Sequence, residues 1–197
     1  MGGFGPERAL RLAGKIAVVT GGGSGLGRAI ALALGREGAD VAVSYRSSGK
    51  GAQGVADALA AAGRRSHLGQ ADAGKPGEIG RFVNEAAASL GGIDVLVNNA
   101  GGVFAAPFME TGEKAWNALW RANIVHVFHC SHAAARRMIE QGRGGSIINV
   151  VSIEGVRAAP LYAAYAAAKA GVINFTKTLA LELAPHAIRV NALALGA

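Results

Sequence analysis

At 197 residues the chain is long enough to bury one substantial core, and although 51% of it is hydrophobic, no run approaches the roughly twenty apolar residues that span a bilayer. Twenty lysines and arginines against thirteen acidic residues give a formal charge of +7, but only Arg64-Arg65 and Arg136-Arg137 are adjacent and no nucleic-acid motif accompanies them. Scattered charge of this kind reads as solvated surface able to attract an anionic cofactor, so neither a nucleic-acid nor a membrane partner is expected. Cys130 is the single cysteine, which excludes an internal disulfide, and the opening MGGFGPERALRLAGK lacks the apolar core of a secretory signal. A reducing cytoplasm is the expected setting.

In chain order, residues 1–14 read as an N-terminal extension and 15–197 as one domain, with no interdomain linker or internal repeat. Strands are expected at 16–20, 40–45, 65–70, 93–98, 145–151 and 188–194, and helices at 25–37, 50–62, 77–90, 112–141 and 162–184. Short apolar strands alternating with amphipathic helices give parallel βαβ units with right-handed crossovers, a doubly wound α/β fold. Gly38, Gly63 and Gly91-Gly92 each fall where a helix must stop before the next strand.

Two stretches carry chemistry. Thr20-Gly21-Gly22-Gly23-Ser24-Gly25-Leu26-Gly27 sits between the first strand and the first helix, where glycines permit a tight turn and let backbone approach a pyrophosphate at the helix N-terminus. Tyr165 and Lys169, four apart in YAAAK, share one helix face, and Ser152 follows the apolar run of the fifth strand. An ammonium next to a phenol favours the phenolate and so brings a group with a pKa near 10 toward neutral-pH proton transfer. Tyr162 lacks this partner, because position 166 is alanine. At the end of the second strand, where NAD enzymes of this architecture place an acidic residue, the chain has Tyr45, Arg46 and Ser47. A guanidinium there can pair with a 2′-phosphate, which favours NADP with NAD as the alternative; the competing reading is a plain loop arginine. His126, His129, Cys130 and His132 spread over a broad arc of the long helix and do not converge as metal ligands, so a helix face, with a subunit contact as one role for it, is expected and no metal.

TGGGSGLG, Asn98-Asn99-Ala100-Gly101, Asn123 within RANIVHVF, and Ser152, Tyr165 and Lys169 occur in the order and spacing of the short-chain dehydrogenase/reductase family, which the chain resembles from about residue 15 to residue 196. Within it the pattern is most similar to glucose-dehydrogenase-like and 3-ketoacyl-reductase-like members. The resemblance implies a Rossmann domain with strand order 3-2-1-4-5-6. It implies hydride transfer between nicotinamide and a carbonyl or secondary alcohol. Tyr165 would be the general acid/base, Lys169 its activator and the holder of the nicotinamide ribose, Ser152 the ligand of the substrate oxygen, and Asn123 the holder of a relay water. Gly21, Ser24, Gly25, Leu26, Gly27, Arg46, Ser47, Asp72, Ala73, Asn99, Ala100 and Gly101, with Tyr165 and Lys169, would contact the cofactor. Asp72 has a competing reading as a turn residue, and Asn98 one as a brace between strands.

The resemblance also implies a homodimer or homotetramer that pairs the Asn123 and Tyr165 helices. It departs from the family at Ala194-Leu195-Gly196, where a proline is usual before the glycine, and at Ala197, past which relatives supply a seventh strand and a substrate-covering lid. Without these, the sixth strand is expected to be an exposed apolar edge. The alternative function is a truncated, catalytically weak nucleotide-binding or partner-binding protein. Substrate specificity is expected to involve Val103, Phe104 and Phe108 after Gly101, while Glu154, Val156 and Arg157 either face the substrate or lie on the surface.

Overall fold

Ile16, Ala17, Val18 and Val19 are all buried, the mark of a strand covered on both faces, and they form the centre of the sheet in a computed structural model that describes residues 9–196. The strands are β1 (Ile16–Val19), β2 (Asp40–Tyr45), β3 (Ser66–Gln70), β4 (Val95–Asn98), β5 (Gly145–Ser152) and β6 (Ile188–Leu195). They are all parallel, in the order β3-β2-β1-β4-β5-β6. The helices are α1 (Gly25–Arg36), α2 (Gly49–Ala61), α3 (Pro76–Leu90), α4 (Glu113–Trp120), α5 (His126–Gln141) and α6 (Ala163–Leu183). The order of strands reverses between β1 and β4, so the crevice beyond their carboxyl ends is the topological switch point of the sheet.

Each strand sends alternate residues to opposite faces, and the core divides accordingly. Val18, Leu96 and Ile147 pack with Phe82 and Leu90 of α3 and Met138 of α5 on one face. Val19, Val41, Val43 and Val97 pack with Ala31 of α1 and Val55 and Leu59 of α2 on the other. Val127, Val151 and Val172 form a smaller cluster joining α5, β5 and α6. Gly142, left-handed at φ 65°, closes α5 where its 16 residues must turn into β5, and Gly38, Gly63 and Gly91 likewise follow α1, α2 and α3 with positive φ.

The end of the sheet away from the crevice is pinned by one carboxylate. Asp94 accepts the Ile16 amide at 2.9 Å and Arg143 Nε at 2.8 Å, with Lys15 Nζ 4.0 Å away. Burial opposes its ionisation, but Arg143, the Ile16 amide and Lys15 outweigh that and hold its pKa below the usual value. Within the N-terminal extension, residues 1–8 lie outside the described residues, while Leu12 donates to the Glu37 carbonyl at 2.8 Å and Arg11 pairs with Glu37 at 2.9 Å. No helix among the described residues is long and apolar enough to cross a membrane.

Two elements differ from expectation. The strand expected from residue 93 begins at Val95, because the Ile93 N–H donates to Gln141 Oε1 at 2.8 Å and its carbonyl accepts from Gln141 Nε2 at 2.9 Å instead of joining a sheet ladder. The single helix expected over 112–141 is instead α4, a π-helical turn (Arg121–Val125) and α5, preceded by a 3-10 turn at Phe108–Glu110. Asn123 Nδ2 donates to the Leu119 carbonyl at 3.0 Å, so a side chain competes for an acceptor of the helical ladder and the backbone widens there. Among the described residues β6 pairs only with β5, and Leu193 is exposed.

Candidate active site

The glycine-rich turn is built from the sequence outward. Thr20 Oγ1 accepts the amides of Asn99 and Ala100, both at 3.0 Å, and Asn99 Nδ2 donates to the Thr20 carbonyl at 2.9 Å, tying the turn after β1 to the turn after β4. Ser44 receives the Gly21 amide on Oγ at 3.1 Å and the Gly22 amide on its carbonyl at 2.9 Å. The turn is so tight that a Cβ on Gly27 would stand 2.3 Å from the Gly21 carbonyl oxygen. Helix α1 opens here with no acidic residue in its first turn and no side-chain cap from Ser24, leaving its first amides and its positive dipole end for an anion.

A trough of about 660 Å³ lies over this turn. All twelve expected trough residues line it: Gly21, Ser24, Gly25, Leu26, Gly27, Arg46, Ser47, Asp72, Ala73, Asn99, Ala100 and Gly101. Asp72 is both wall and turn residue, since its Oδ1 accepts the Gly74 amide at 2.9 Å. Arg46 is exposed at the trough's end and makes no ion pair among the described residues, with Ser47 beside it. Sequence reasoning missed Ser44, Ser48, Ala118, Arg121 and Ala122, which also line the trough. Nothing in the pattern marks the last three, which reach the trough through the course of the α4 segment.

Ser152, Tyr165, Lys169 and Asn123 all line a second cleft of about 280 Å³, which shares Leu26, Asn99, Gly101 and Gly102 with the trough. Ser152 is the last residue of β5, in register with Leu195, and its Oγ accepts the Glu154 amide at 3.2 Å. Tyr165 stands in the first turn of α6 with its ring edge-on to Tyr162, the ring centroids 6.4 Å apart. One turn later Lys169 is buried, its Nζ 5.7 Å from the Tyr165 ring centre and 3.0 Å from the Val150 carbonyl, to which it donates. Burial pushes the Lys169 pKa down to about 8, so the ammonium still dominates at neutral pH. Asn123 is fully buried on the π turn, donating to Gly102 at 2.7 Å and to Leu119 at 3.0 Å.

Asn98 is a brace: its Nδ2 donates to Asn149 Oδ1 at 2.8 Å and to Ser131 Oγ at 3.1 Å, and Asn149 in turn donates to Thr176 at 2.8 Å. The helix-face expectation for the histidine cluster is corrected in part. His126 and Cys130 are interior, His132 is exposed, and no group of three metal-ligating side chains exists among the described residues. Val103 lines the cleft, Phe104, Phe108, Val156 and Leu161 are exposed, and Glu154 and Arg157 neutralise one another at 2.9 Å. The anion-ready helix terminus, the close backbone approach at Gly21 and Gly27, and a cleft with an acid/base pair at the far end fit a dinucleotide carrying a reactive ring.

Comparison with known proteins agrees with this geometry. A family model described as short chain dehydrogenase matches residues 15–197. A 3-oxoacyl-(acyl-carrier-protein) reductase FabG of Staphylococcus epidermidis is 42% identical over 182 residues, 92% of this chain and 74% of that protein. A short chain dehydrogenase from Burkholderia cenocepacia, solved in complex with NADP, superposes with a TM-score of 0.91 at 39% identity, covering 95% of this chain and 76% of that one. A carveol dehydrogenase from Mycobacterium avium, solved with NAD, gives a TM-score of 0.89 at 32% identity, covering 93% and 71%.

Proposed function

Because the chain belongs to the short-chain dehydrogenase/reductase family, whose members are nicotinamide-dependent oxidoreductases, we propose that it uses NADP to interconvert a carbonyl and a secondary alcohol. The observation that carries this reading is the joining of the two clefts: Ser152, Tyr165, Lys169 and Asn123 surround one, and it opens onto a trough with Arg46 at the adenosine end. The nicotinamide, when bound, supplies or accepts the hydride. In reduction the Tyr165 hydroxyl gives its proton to the oxygen that becomes the alcohol, and in oxidation the phenolate takes it back. The Lys169 ammonium favours that phenolate, and Ser152 Oγ holds the substrate oxygen by a hydrogen bond. Asn123 keeps the Gly102 turn and the widened helix in place, and its Oδ1 is free for a relay water.

Gly21, Ser24, Gly25, Leu26 and Gly27 hold the pyrophosphate by backbone, Arg46 and Ser47 hold the 2′-phosphate, Asp72 and Ala73 the adenine, and Asn99, Ala100 and Gly101 the nicotinamide side. Residues 15–197 form the cofactor-binding and catalytic unit, with 1–14 as an extension. The apolar groove of about 460 Å³ between α5 and α6, lined by Phe128, Ile139, Phe175 and Leu179, supports assembly as a homodimer or homotetramer through these helices. The setting is the cytoplasm, where buried Cys130 stays a thiol.

A fluorescence titration with NADPH and NADH, repeated on Arg46→Ala, tests the cofactor assignment. NADPH should bind at least about tenfold tighter than NADH, and the variant should lose that preference. Equal binding of both by the unaltered chain would contradict it. NADPH oxidation in the presence of a panel of ketones tests the activity; binding without turnover across the panel would contradict it.

A further inference from the structure

Helix α3 starts on a residue ill suited to the position. Its N-cap is Lys75, with extended backbone (φ −117°, ψ 98°) and no side-chain hydrogen bond to the first amides. Serine, threonine, asparagine and aspartate serve there because their oxygens accept those amides, which an ammonium cannot do. A cation also opposes the positive end of the helix dipole, and Glu78 in the first turn offsets it by accepting Lys75 Nζ at 2.9 Å. Helix formation does not account for this lysine, but the space beside it does.

That space is a cup of about 360 Å³ walled by Arg46, Gln70, Asp72, Lys75 and Glu78, with no apolar side chain among them. It adjoins the cofactor trough, which Arg46, Asp72 and Lys75 also line. Aromatic rings favour apolar walls, so a cup of this size and polarity suits a compact ionised group. Its walls hold two cations and two carboxylates, but the carboxylates are already engaged. Asp72 Oδ1 accepts the Gly74 amide at 2.9 Å, and Glu78 accepts the Asp72 amide at 3.0 Å on one oxygen and Lys75 on the other. The cations keep donors to spare. Arg46 makes no ion pair among the described residues, and Lys75 spends one of its three N–H groups on Glu78. Gln70 Nε2 donates to the Arg46 carbonyl at 3.0 Å and steadies the loop that carries the guanidinium. The hydrogen bond to Glu78 holds the Lys75 pKa above its usual value, so the side chain is charged at neutral pH.

We propose that Lys75 is a specificity-determining residue: it shares the cup with Arg46 as the second cation for a phosphate on the adenosine 2′ oxygen, and Glu78 is its resident counter-ion. This rests on the NADP reading given above and extends it. Arg46 alone offers one positive charge, whereas a phosphate monoester carries close to two negative ones at neutral pH, so a second cation completes the match. Glu78 competes with the phosphate for the same ammonium. It therefore holds Lys75 at the cup when no nucleotide is bound and moderates the preference for the phosphorylated one.

Calorimetric titration of the full chain with adenosine 2′,5′-bisphosphate and with adenosine 5′-monophosphate reads the cup without turnover or nicotinamide. The unaltered chain should bind the bisphosphate at least about tenfold tighter. Lys75→Met, at an exposed side chain, should cut that ratio about fivefold, and Lys75→Arg should restore most of it. Glu78→Gln keeps an acceptor for the Asp72 amide and releases the ammonium, so it should raise the ratio about twofold. Both substitutions break the same ion pair, so a merely structural pair would not move the ratio in opposite directions. A ratio unmoved by Lys75→Met, or moved the same way by both variants, would overturn the proposal and leave Arg46 to act alone. Adenosine 3′,5′-bisphosphate binding as tightly as the 2′,5′ isomer would also overturn it, by showing attraction to any phosphate. Equal binding of the bisphosphate and the monophosphate by the unaltered chain would sink the NADP reading itself, and this inference with it.

Discussion

The two ends of the crevice are built from opposite materials. Between β1 and β3 the buried polar side chains are Thr20 and Ser44, and both serve to hold backbone. From residue 98 onward there are seven among the described residues: Asn98, Asn123, His126, Ser131, Asn149, Lys169 and Thr176. The difference follows from the task. A pyrophosphate is recognised by amides and a helix terminus, which need close approach and small residues, so the cofactor end is made by leaving side chains out. Moving a proton needs side chains at fixed places in a low-dielectric setting, so the chemical end carries the cost of burying them and repays it with hydrogen bonds.

The comparison breaks most visibly at Gly27. Gly27→Ala adds one methyl 2.3 Å from a carbonyl oxygen and 2.5 Å from Asn99 Nδ2, so it should cost about 3 kcal/mol in denaturant unfolding and weaken NADPH binding at least about tenfold. At the other end Lys169→Met should do the reverse and stabilise. The lysine's folded pKa of about 8 lies below the 10.5 of the free side chain, so burying the ammonium costs on the order of 3 kcal/mol at pH 7. The unfolded chain binds the extra proton between those two values, so the unaltered chain should gain stability as pH rises from about 8 toward 10. The advantage of the methionine variant should fade over the same window, and a constant difference across it would contradict the assignment.

A smaller effect is expected at Asn149→Ala, which takes one hydrogen-bond partner from each of Asn98 Nδ2 and Thr176 Oγ1 and leaves them their bonds to Ser131 Oγ and the Val172 carbonyl. About 1–3 kcal/mol should be lost, with NADPH affinity nearly unchanged, because the brace lies under the catalytic end and not the trough. Arg157→Ala, at an exposed pair with Glu154, sharpens the contrast by leaving the same unfolding measurement almost unchanged.

How much of this was legible in the sequence divides along the same line. The glycine turn and the Tyr-Lys pair depend on local spacing, and local spacing is what a sequence displays; the sheet has the strand order that the family resemblance implies, and Ser152, Tyr165, Lys169 and Asn123 line one cleft. The π turn at Asn123 was invisible, because it follows from a side chain bonding to Leu119, while the helical periodicity on either side continues. The late start of β4 was likewise hidden, since it depends on Gln141, nearly fifty residues away. Arg121 and Ala118 entered the trough wall by tertiary packing alone, and His126 read as part of a helix face until its burial was seen.

The division between a backbone-built cofactor end and a side-chain-built chemical end is tested most directly by Tyr165→Phe, assayed for both functions on the same preparation. NADPH binding should stay within about twofold of the unaltered chain while ketone reduction falls by at least about a hundredfold, since only the proton donor is removed. Turnover that survives the substitution, or binding lost in step with it, would contradict the account.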